Sequence, residues 1–109
     1  MPCGIYKITN KLTNESYVGQ SVDIYRRWDQ HRRMAYARNK KQVTYPLYRD
    51  MRYYGIENFD FEILEECDKS KLDEREEYWI NFYGTIKQYN QIMPKEKPSD
   101  AKKRRRQHD

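Results

Sequence analysis

Glu76 is the residue whose position most clearly calls for a chemical role. It falls on the core-facing stripe of a predicted helix, where the apolar residue four positions after Leu72 would stand. The other members of the stripe are Trp79, Ile80 and Tyr83. An ionised carboxylate on such a stripe is costly to desolvate unless it is paired or binds a metal. The position therefore predicts either an internal ion pair with Arg27 or a divalent-cation site.

Two phenols and two basic side chains could take part in the same chemistry. Tyr6 and Tyr17 fall on two predicted neighbouring strands, and Arg27 and His31 lie one turn apart on the helix that follows. A guanidinium binds phosphate in bidentate fashion, and an imidazole exchanges protons near neutral pH. A phenol has a pKa of about 10, so it needs a nearby cation to act as a base. Taken singly, each tyrosine and the histidine more often serve as packing residues.

The elements that must position these residues follow from the periodicity of the sequence. Alternation typical of strands covers residues 4–9, 16–20 and 59–67, and helical periodicity covers residues 22–37, 46–54 and 71–83. Turn-forming residues 10–15 make the first two strands a hairpin. Ser21 or Asp23 is predicted to cap the first helix, and Ser70 with Asp73 resembles a capping box for the last.

Length and composition exclude several classes of protein. A chain of 109 residues forms one domain, and its 36% of charged residues with no long apolar run excludes a membrane-spanning protein. The 15% of aromatic residues argues against disorder. No apolar leader follows Met1, which favours a cytoplasmic location. Cys3 and Cys67 are too few for a disulfide framework or a four-cysteine zinc site, so reduced thiols are predicted, with one disulfide left open.

Charge is distributed unevenly along the chain. Residues 1–54 carry a net charge of +7, residues 55–93 a net charge of −6 and residues 94–109 a net charge of +4. The basic first half and the basic end favour a polyanionic partner such as nucleic acid, because Lys and Arg displace its condensed counterions. The alternative is that the basic and acidic parts of the chain pair with each other.

Six short motifs in order give the sequence a specific resemblance. They are Gly4-Ile5-Tyr6, then Tyr17-Val18-Gly19 after a ten-residue gap, Arg27-Trp28, His31, Glu76-Glu77-Tyr78-Trp79-Ile80, and Tyr89-Asn90. This pattern resembles the GIY-YIG nucleases and is similar to the catalytic modules of phage-type homing endonucleases. The resemblance implies an α+β fold with a small three-stranded antiparallel sheet flanked by helices. It also implies a divalent-metal-dependent endonuclease that hydrolyses the phosphodiester bonds of DNA.

The same resemblance implies a role for each candidate catalytic residue. The implied catalytic set is Tyr6, Tyr17, Arg27, His31, Glu76 and Asn90. Glu76 would bind Mg²⁺, or Mn²⁺ in its place, and Arg27 would neutralise charge in the transition state. Tyr6 is favoured over Tyr17 as general base, with Tyr17 positioning the substrate. His31 would relay or donate a proton. Asn90 fits two roles about equally well, either orienting the site through its amide or capping a turn.

Several basic side chains outside this set are predicted to contact double-stranded DNA. They are Arg26, Arg33, Lys40 and Lys41, together with Lys102, Lys103, Arg104, Arg105 and Arg106. The last five belong to residues 94–109, which we predict to be a flexible basic tail after a nuclease domain spanning residues 1–93. Such a tail adds sequence-independent affinity but little base readout, so specific recognition is expected to be limited. The loop at residues 39–45 departs from some relatives, which carry a further histidine there.

Two other functions stay open at the level of sequence. A catalytically silent module could bind nucleic acid through basic and aromatic residues, although the intact Tyr6, Tyr17, Arg27 and Glu76 speak against it. A repair or restriction nuclease could use the same residues together with a protein partner, whose identity the sequence does not indicate.

Overall fold

The computed structural model describes residues 1–37 and 45–90. Its regular elements are β1 (Gly4–Asn10), β2 (Ser16–Ser21), α1 (Ile24–Ala35), α2 (Pro46–Tyr54), β3 (Phe59–Glu66) and α3 (Leu72–Tyr83). Short 3₁₀ turns at Ile56–Asn58, Lys69–Lys71 and Thr85–Lys87 connect or follow them. No helix within the described ranges is both long and apolar enough to cross a membrane.

The three strands form one antiparallel sheet in the order β2-β1-β3. In the hairpin, Tyr6 lies opposite Gly19 and Ile8 lies opposite Tyr17. Since directly paired residues point to the same face of a sheet, these four residues share one face. The predicted α+β fold with a three-stranded antiparallel sheet is therefore confirmed.

Helices cover both faces of the sheet. On one face, Tyr6, Ile8 and Tyr17 pack with buried residues of α1 and α2. On the other face, Ile5 and Val18 pack against Leu72 and Ile80 of α3. Because strand side chains alternate between the two faces, Tyr6 and Tyr17 face α1 and α2. Glu76 lies on α3, which covers the opposite face.

The predicted starts of α1 and α2 and the predicted end of α2 are also confirmed. Of the two candidate caps for α1, Asp23 occupies the N-cap and its carboxylate accepts a hydrogen bond from the Arg26 amide at 3.3 Å. Pro46 opens α2, where its missing N–H leaves no helical bond unmade. Gly55 ends the same helix with a φ of +92°, a value that L side chains rarely adopt.

The capping box predicted at the start of α3 is wrong. Ser70 lies in the 3₁₀ turn before the helix, and both its amide and its hydroxyl donate to the carboxylate of Asp68, at 2.9 and 2.6 Å. Asp68 is nearer to Ser70 than Asp73 is, and it forms a tight local turn with the serine. Because the Ser70 hydroxyl is used in this turn, it does not cap the helix. Asp73 accepts a hydrogen bond from Gln20 on β2 instead.

Residues 88–90 run along the outer edge of β2. The amide of Ser16 donates to the Gln88 side chain at 2.6 Å, and the amide of Tyr89 donates to the Ser16 carbonyl at 3.3 Å. Asn90 accepts from the Val18 amide at 2.9 Å and donates to the Val18 carbonyl at 3.0 Å. These bonds pair backbone groups of β2 that face away from β1.

Candidate active site

The two motif tyrosines lie side by side on the face of the sheet that is covered by α1 and α2. Tyr6 and Tyr17 are both buried, and their ring centroids are 6.3 Å apart. Gly19 stands directly opposite Tyr6, and a Cβ at this position would overlap the Tyr6 hydroxyl and the Tyr17 ring. The glycine of the second motif is therefore needed because the phenols occupy the space of a side chain.

His31 connects the sheet to both helices. Its ring is fully buried, with Nε2 2.7 Å from the Tyr6 hydroxyl and Nδ1 2.8 Å from the Tyr48 hydroxyl. Tyr6 comes from β1, His31 from α1 and Tyr48 from α2, so one hydrogen-bonded row spans three elements. The structure thus places His31 in contact with Tyr6, as the one-turn spacing after Arg27 suggested.

Arg27 provides the positive charge of this cluster. It is half-buried, donates to the Gln30 side chain at 3.1 Å and lies within hydrogen-bonding reach of the Tyr6 hydroxyl. Burial acts to lower the pKa of Arg27, but the phenol oxygens of Tyr6, Tyr17 and Tyr48 more than offset it and raise that pKa. The guanidinium therefore remains charged within a largely aromatic environment.

Burial keeps the two phenols protonated in the resting protein. It raises the pKa of Tyr6 and that of Tyr17 above the usual value for tyrosine, since a buried phenolate loses its hydration. Arg27 works against this effect at both hydroxyls, whereas the negative charge of Glu76 adds to it. Arg27 is thus the group in this cluster that favours the phenolate form.

His31 is neutral for a related reason. Burial, with a further contribution from the positive charge of Arg27, lowers the pKa of His31 to about 3. A neutral imidazole has one ring nitrogen that donates and one that accepts. His31 can therefore bond as donor to one phenol and as acceptor to the other.

Glu76 lies on α3 with only 4% of its surface exposed. The side-chain amide of Gln20 donates to Glu76 at 3.2 Å and to Asp73 at 2.8 Å, so it joins two carboxylates one turn apart. Because the Glu76 charge raises the pKa of both Tyr6 and Tyr17, it acts electrostatically on the phenols of the opposite sheet face.

The carboxylate of Glu76 fits the ligand type that Mg²⁺ prefers. Mg²⁺ binds through one or two carboxylates, retains several waters and uses substrate phosphate oxygens, so it needs no cage of protein ligands. In residues 1–37 and 45–90, no group of three or more His, Cys, Asp or Glu is arranged to hold a metal. Glu76 suits an open site of this kind, completed by water and substrate.

Asn90 is tied to the site through β2. Its side-chain amide makes the two hydrogen bonds to the backbone of Val18 described above, and Val18 separates Tyr17 from Gly19. The contact fits the orienting role better than that of a simple turn cap, because both bonds reach a strand 72 residues away in sequence.

Comparison with known proteins identifies the family of this chain. The family model of the GIY-YIG catalytic domain matches residues 2–90. The chain belongs to this family. It is 35% identical over 82 residues to intron-associated endonuclease 1 of Enterobacteria phage T4, in a match that covers 73% of this chain and 32% of that protein. The chain thus spans about a third of the length of this curated relative.

Solved structures of a GIY-YIG domain have the same fold. A mutant of the catalytic domain of intron endonuclease I-TevI superposes with a TM-score of 0.65 at 32% identity, covering 79% of this chain and 88% of that one. The catalytic domain of homing endonuclease I-TevI gives a TM-score of 0.59 at 32% identity, covering 75% and 88%.

The predicted DNA-contacting residues divide into two groups. Arg26 and Arg33 are exposed on α1, and Arg33 forms an ion pair with Asp29 at 3.3 Å. The others lie outside the described residues: Lys40, Lys41, Lys102, Lys103, Arg104, Arg105 and Arg106. Their contact with DNA stays a prediction, as do the boundary at residue 93 and the character of the tail.

Sequence reasoning missed the place of Tyr48 and Gln20 in this site. Nothing in the spacing of Tyr48 and His31 indicates a hydrogen bond between two different helices. Gln20 had a clearer signal, since a polar residue directly after the motif Gly19 is unusual on a strand facing an apolar helix.

We expect His31 to remain neutral well below the pH at which histidine normally titrates. Its lowered pKa means that the unfolded chain, with a histidine pKa of about 6.5, takes up the proton first. The contribution of His31 to stability is therefore complete above about pH 6.5 and falls as the pH drops toward about 3. An NMR titration should show no midpoint for the His31 ring between about pH 8 and about pH 5.

The variant His31→Gln is the control for this titration, because it has no ring to protonate. Its free energy of unfolding should lack the part of the acid sensitivity that His31 contributes. A titration midpoint of His31 near the ordinary value for histidine would contradict the prediction.

Proposed function

We propose that this GIY-YIG domain is an endonuclease that hydrolyses phosphodiester bonds of double-stranded DNA with the help of a divalent cation at Glu76. The observation that carries the proposal is the cluster of a charged guanidinium, buried phenols and a neutral imidazole on one face of the sheet, with the buried carboxylate of Glu76 acting on the phenols from α3. The two related proteins named above are an intron-associated and a homing endonuclease, which supports DNA as the substrate.

Phosphodiester hydrolysis makes demands that this set of residues can meet. A water must lose a proton as it attacks, the phosphoryl oxygens gain negative charge, and the leaving oxygen must be stabilised. Mg²⁺, or Mn²⁺ in its place, held by Glu76 would supply positive charge at the phosphoryl oxygens. The protein contributes the carboxylate, the guanidinium and the proton acceptor.

Arg27 is placed to stabilise the transition state. Its guanidinium is charged and half-buried, and its donors can form two parallel bonds to phosphate oxygens. In a site with little water, such a charge acts more strongly on the reacting phosphate than it would at the surface. Arg26 is exposed and lies next to it in sequence, so it can only contribute to the general attraction of DNA.

Tyr6 is the better candidate for the general base. Its hydroxyl is acted on by a cation that favours the phenolate and lies 2.7 Å from Nε2 of His31, a ring nitrogen that accepts a proton in one of the two neutral tautomers. As the attacking water gives a proton to the Tyr6 oxygen, the phenol proton can move to Nε2 of His31, so that Tyr6 stays neutral and the imidazole becomes an imidazolium that holds the proton. Tyr17 packs against the same imidazole ring edge-on, with centroids 5.6 Å apart, and suits a positioning role.

Basic side chains outside the catalytic cluster would hold the DNA backbone. Arg26 and Arg33 are exposed on α1, and the tail residues Lys102–Arg106 add five positive charges. These charges provide affinity that depends on salt rather than on base sequence.

Cleavage of supercoiled, linear, branched and single-stranded DNA, compared with and without Mg²⁺, tests the reaction and the preferred form of the substrate. Binding without cleavage by the wild-type chain would favour the silent binding module.

Glu76→Gln should abolish metal-dependent cleavage while the fold and DNA binding persist. The amide retains the shape of the side chain but lacks the charge that attracts a divalent cation. We expect the single-turnover rate with Mg²⁺ to fall by about 10²-fold or more, the scale for loss of one electrostatic group in an active site. The stabilisation of the wild-type chain by Mn²⁺ in thermal melts should disappear as well.

Glu77→Gln is the matched control for this experiment, since Glu77 is the next residue on α3 and is exposed. It should cleave DNA and respond to Mn²⁺ like the wild type. Unchanged cleavage by Glu76→Gln would refute the assignment of the metal to this residue.

Arg27→Ala and Arg26→Ala should separate catalysis from binding. Removal of Arg27 should lower the single-turnover rate at saturating protein by about 10²-fold or more. Removal of Arg26 should weaken DNA binding and reduce its dependence on salt, with little effect on the saturated rate. If Arg27→Ala changed only the affinity, Arg27 would be a DNA-binding residue instead.

Tyr6→Phe should reduce the rate more than Tyr17→Phe does. The first variant removes the hydroxyl that contacts both Arg27 and His31, whereas the second removes a hydroxyl without a bond to His31. Single-turnover cleavage with circular dichroism as a check of folding compares the two. The opposite ranking would assign the base to Tyr17.

A further inference from the structure

The hydrogen bonds around His31 form a chain with a defined direction. At one end, the hydroxyl of Tyr48 donates to the sulfur of Met34 at 3.3 Å. A thioether sulfur has no proton, so it can only accept. At the other end, Arg27 lies within reach of the Tyr6 hydroxyl, and a guanidinium can only donate.

These two ends decide which nitrogen of His31 carries the proton. The single proton of Tyr48 is used by Met34, so the Tyr48 oxygen accepts a proton from Nδ1 of His31 at 2.8 Å. Nε2 is then unprotonated and accepts the proton of Tyr6 at 2.7 Å. With the opposite tautomer, Nε2 would donate to Tyr6, whose own proton would need a new acceptor, and Met34 would lose its donor.

We infer that Tyr48 is a positioning residue that holds His31 in the Nδ1–H tautomer, so that Nε2 faces Tyr6 as a proton acceptor. Met34 supports this role by fixing the direction of the Tyr48 hydroxyl. Neither residue touches the reacting atoms. The inference rests on the proposed function only in so far as Tyr6 must pass its proton to His31.

The packing of Tyr48 shows why the assignment is well determined. Tyr48 is 1% exposed, and His31 is fully buried, so water cannot replace either partner. The two rings also contact each other, with centroids 5.7 Å apart. An N–H on Nδ1 of His31 therefore needs the Tyr48 oxygen, because a buried N–H without an acceptor is destabilising.

The tautomer can be measured without DNA or metal. Nitrogen-15 NMR distinguishes a protonated from an unprotonated ring nitrogen, and the chain has only two histidines, His31 and His108. In the wild type, Nδ1 of His31 should be protonated and Nε2 should not. In Tyr48→Phe, the Nε2–H form should appear.

The same variants report whether the tautomer matters for the reaction. In serine proteases, holding the catalytic histidine in the wrong tautomer lowers the rate by about 10⁴-fold, and for Tyr48→Phe we expect a loss of about tenfold or more in single-turnover cleavage. Tyr54→Phe is the matched control, because Tyr54 is a half-buried residue of the same helix outside the chain of hydrogen bonds around His31. It should leave both the spectrum and the rate unchanged.

Three results would overturn the inference: the Nε2–H tautomer in the wild type, an unaltered tautomer in Tyr48→Phe, or an altered tautomer with an unaltered rate. If Tyr48→Phe does not fold, Met34→Leu removes the acceptor of the Tyr48 proton while keeping a similar volume. The Nε2–H form should then become detectable, and a spectrum identical to that of the wild type would overturn the inference. Absence of cleavage by the wild-type chain would refute the proposed function, while the spectra would still decide the tautomer.

Discussion

The exclusion of water from the space between the sheet and the helices α1 and α2 is the constraint that governs this site. The hydroxyl of Tyr6 and the ring of His31 cannot bond to solvent there, so they bond to each other. The same exclusion keeps the phenols protonated and the imidazole neutral, because each charged form would lose its hydration. The protonation states of the site are therefore a consequence of packing.

Two opposite charges act on this neutral cluster from different directions. Arg27 extends from α1 on the tyrosine side of the sheet, and Glu76 stands on α3 behind the other face. Burial is the main reason that the pKa of Tyr6 is raised, while Arg27 acts to lower that pKa and Glu76 to raise it further, so the two charges adjust the proton affinity of the phenol in opposite directions. Neutralisation of Glu76 by a bound cation would shift this balance toward the phenolate. Metal binding and base strength would then be linked through the sheet.

The parts of the structure that follow from local sequence were predictable. The hairpin, the helix capped by Asp23 and the helix between Pro46 and Gly55 each depend on neighbouring residues, and the structure confirms them. The capping box at Ser70 failed because Asp68, two residues earlier, offered the shorter local bond. The sequence shows that the turn at Asp68 and the capping box at Ser70 compete for the same side chain, but it does not show which of them forms.

Placing the site residues required more than local patterns. The unusual position of Glu76 could be read from a helical stripe, and the paired motifs indicated that Tyr6 and Tyr17 are neighbours. The bond between His31 and Tyr48 depends on how α1 and α2 pack against each other over the sheet. Neither the periodicity of the sequence nor a motif predicts that packing geometry. Long-range side-chain contacts of this kind are set by packing of the whole domain.

The bonds that residues 88–90 make along β2 also affect how molecules of this protein meet one another. An open strand edge is a template on which a second molecule can add its own strand, and this route leads to aggregation. On β2, Gln88 and Asn90 use side-chain amides to occupy that template, although residues 88–90 form a turn rather than a strand. The opposite edge of the sheet, β3, carries exposed charged side chains, with Asp60 and Glu62 in ion pairs with Lys11 and Lys7 at 3.8 and 3.3 Å, and charge on an edge strand disfavours pairing with another strand. Within residues 1–37 and 45–90, hydrogen bonds at one border of the three-stranded sheet and charge at the other both oppose the addition of a further strand.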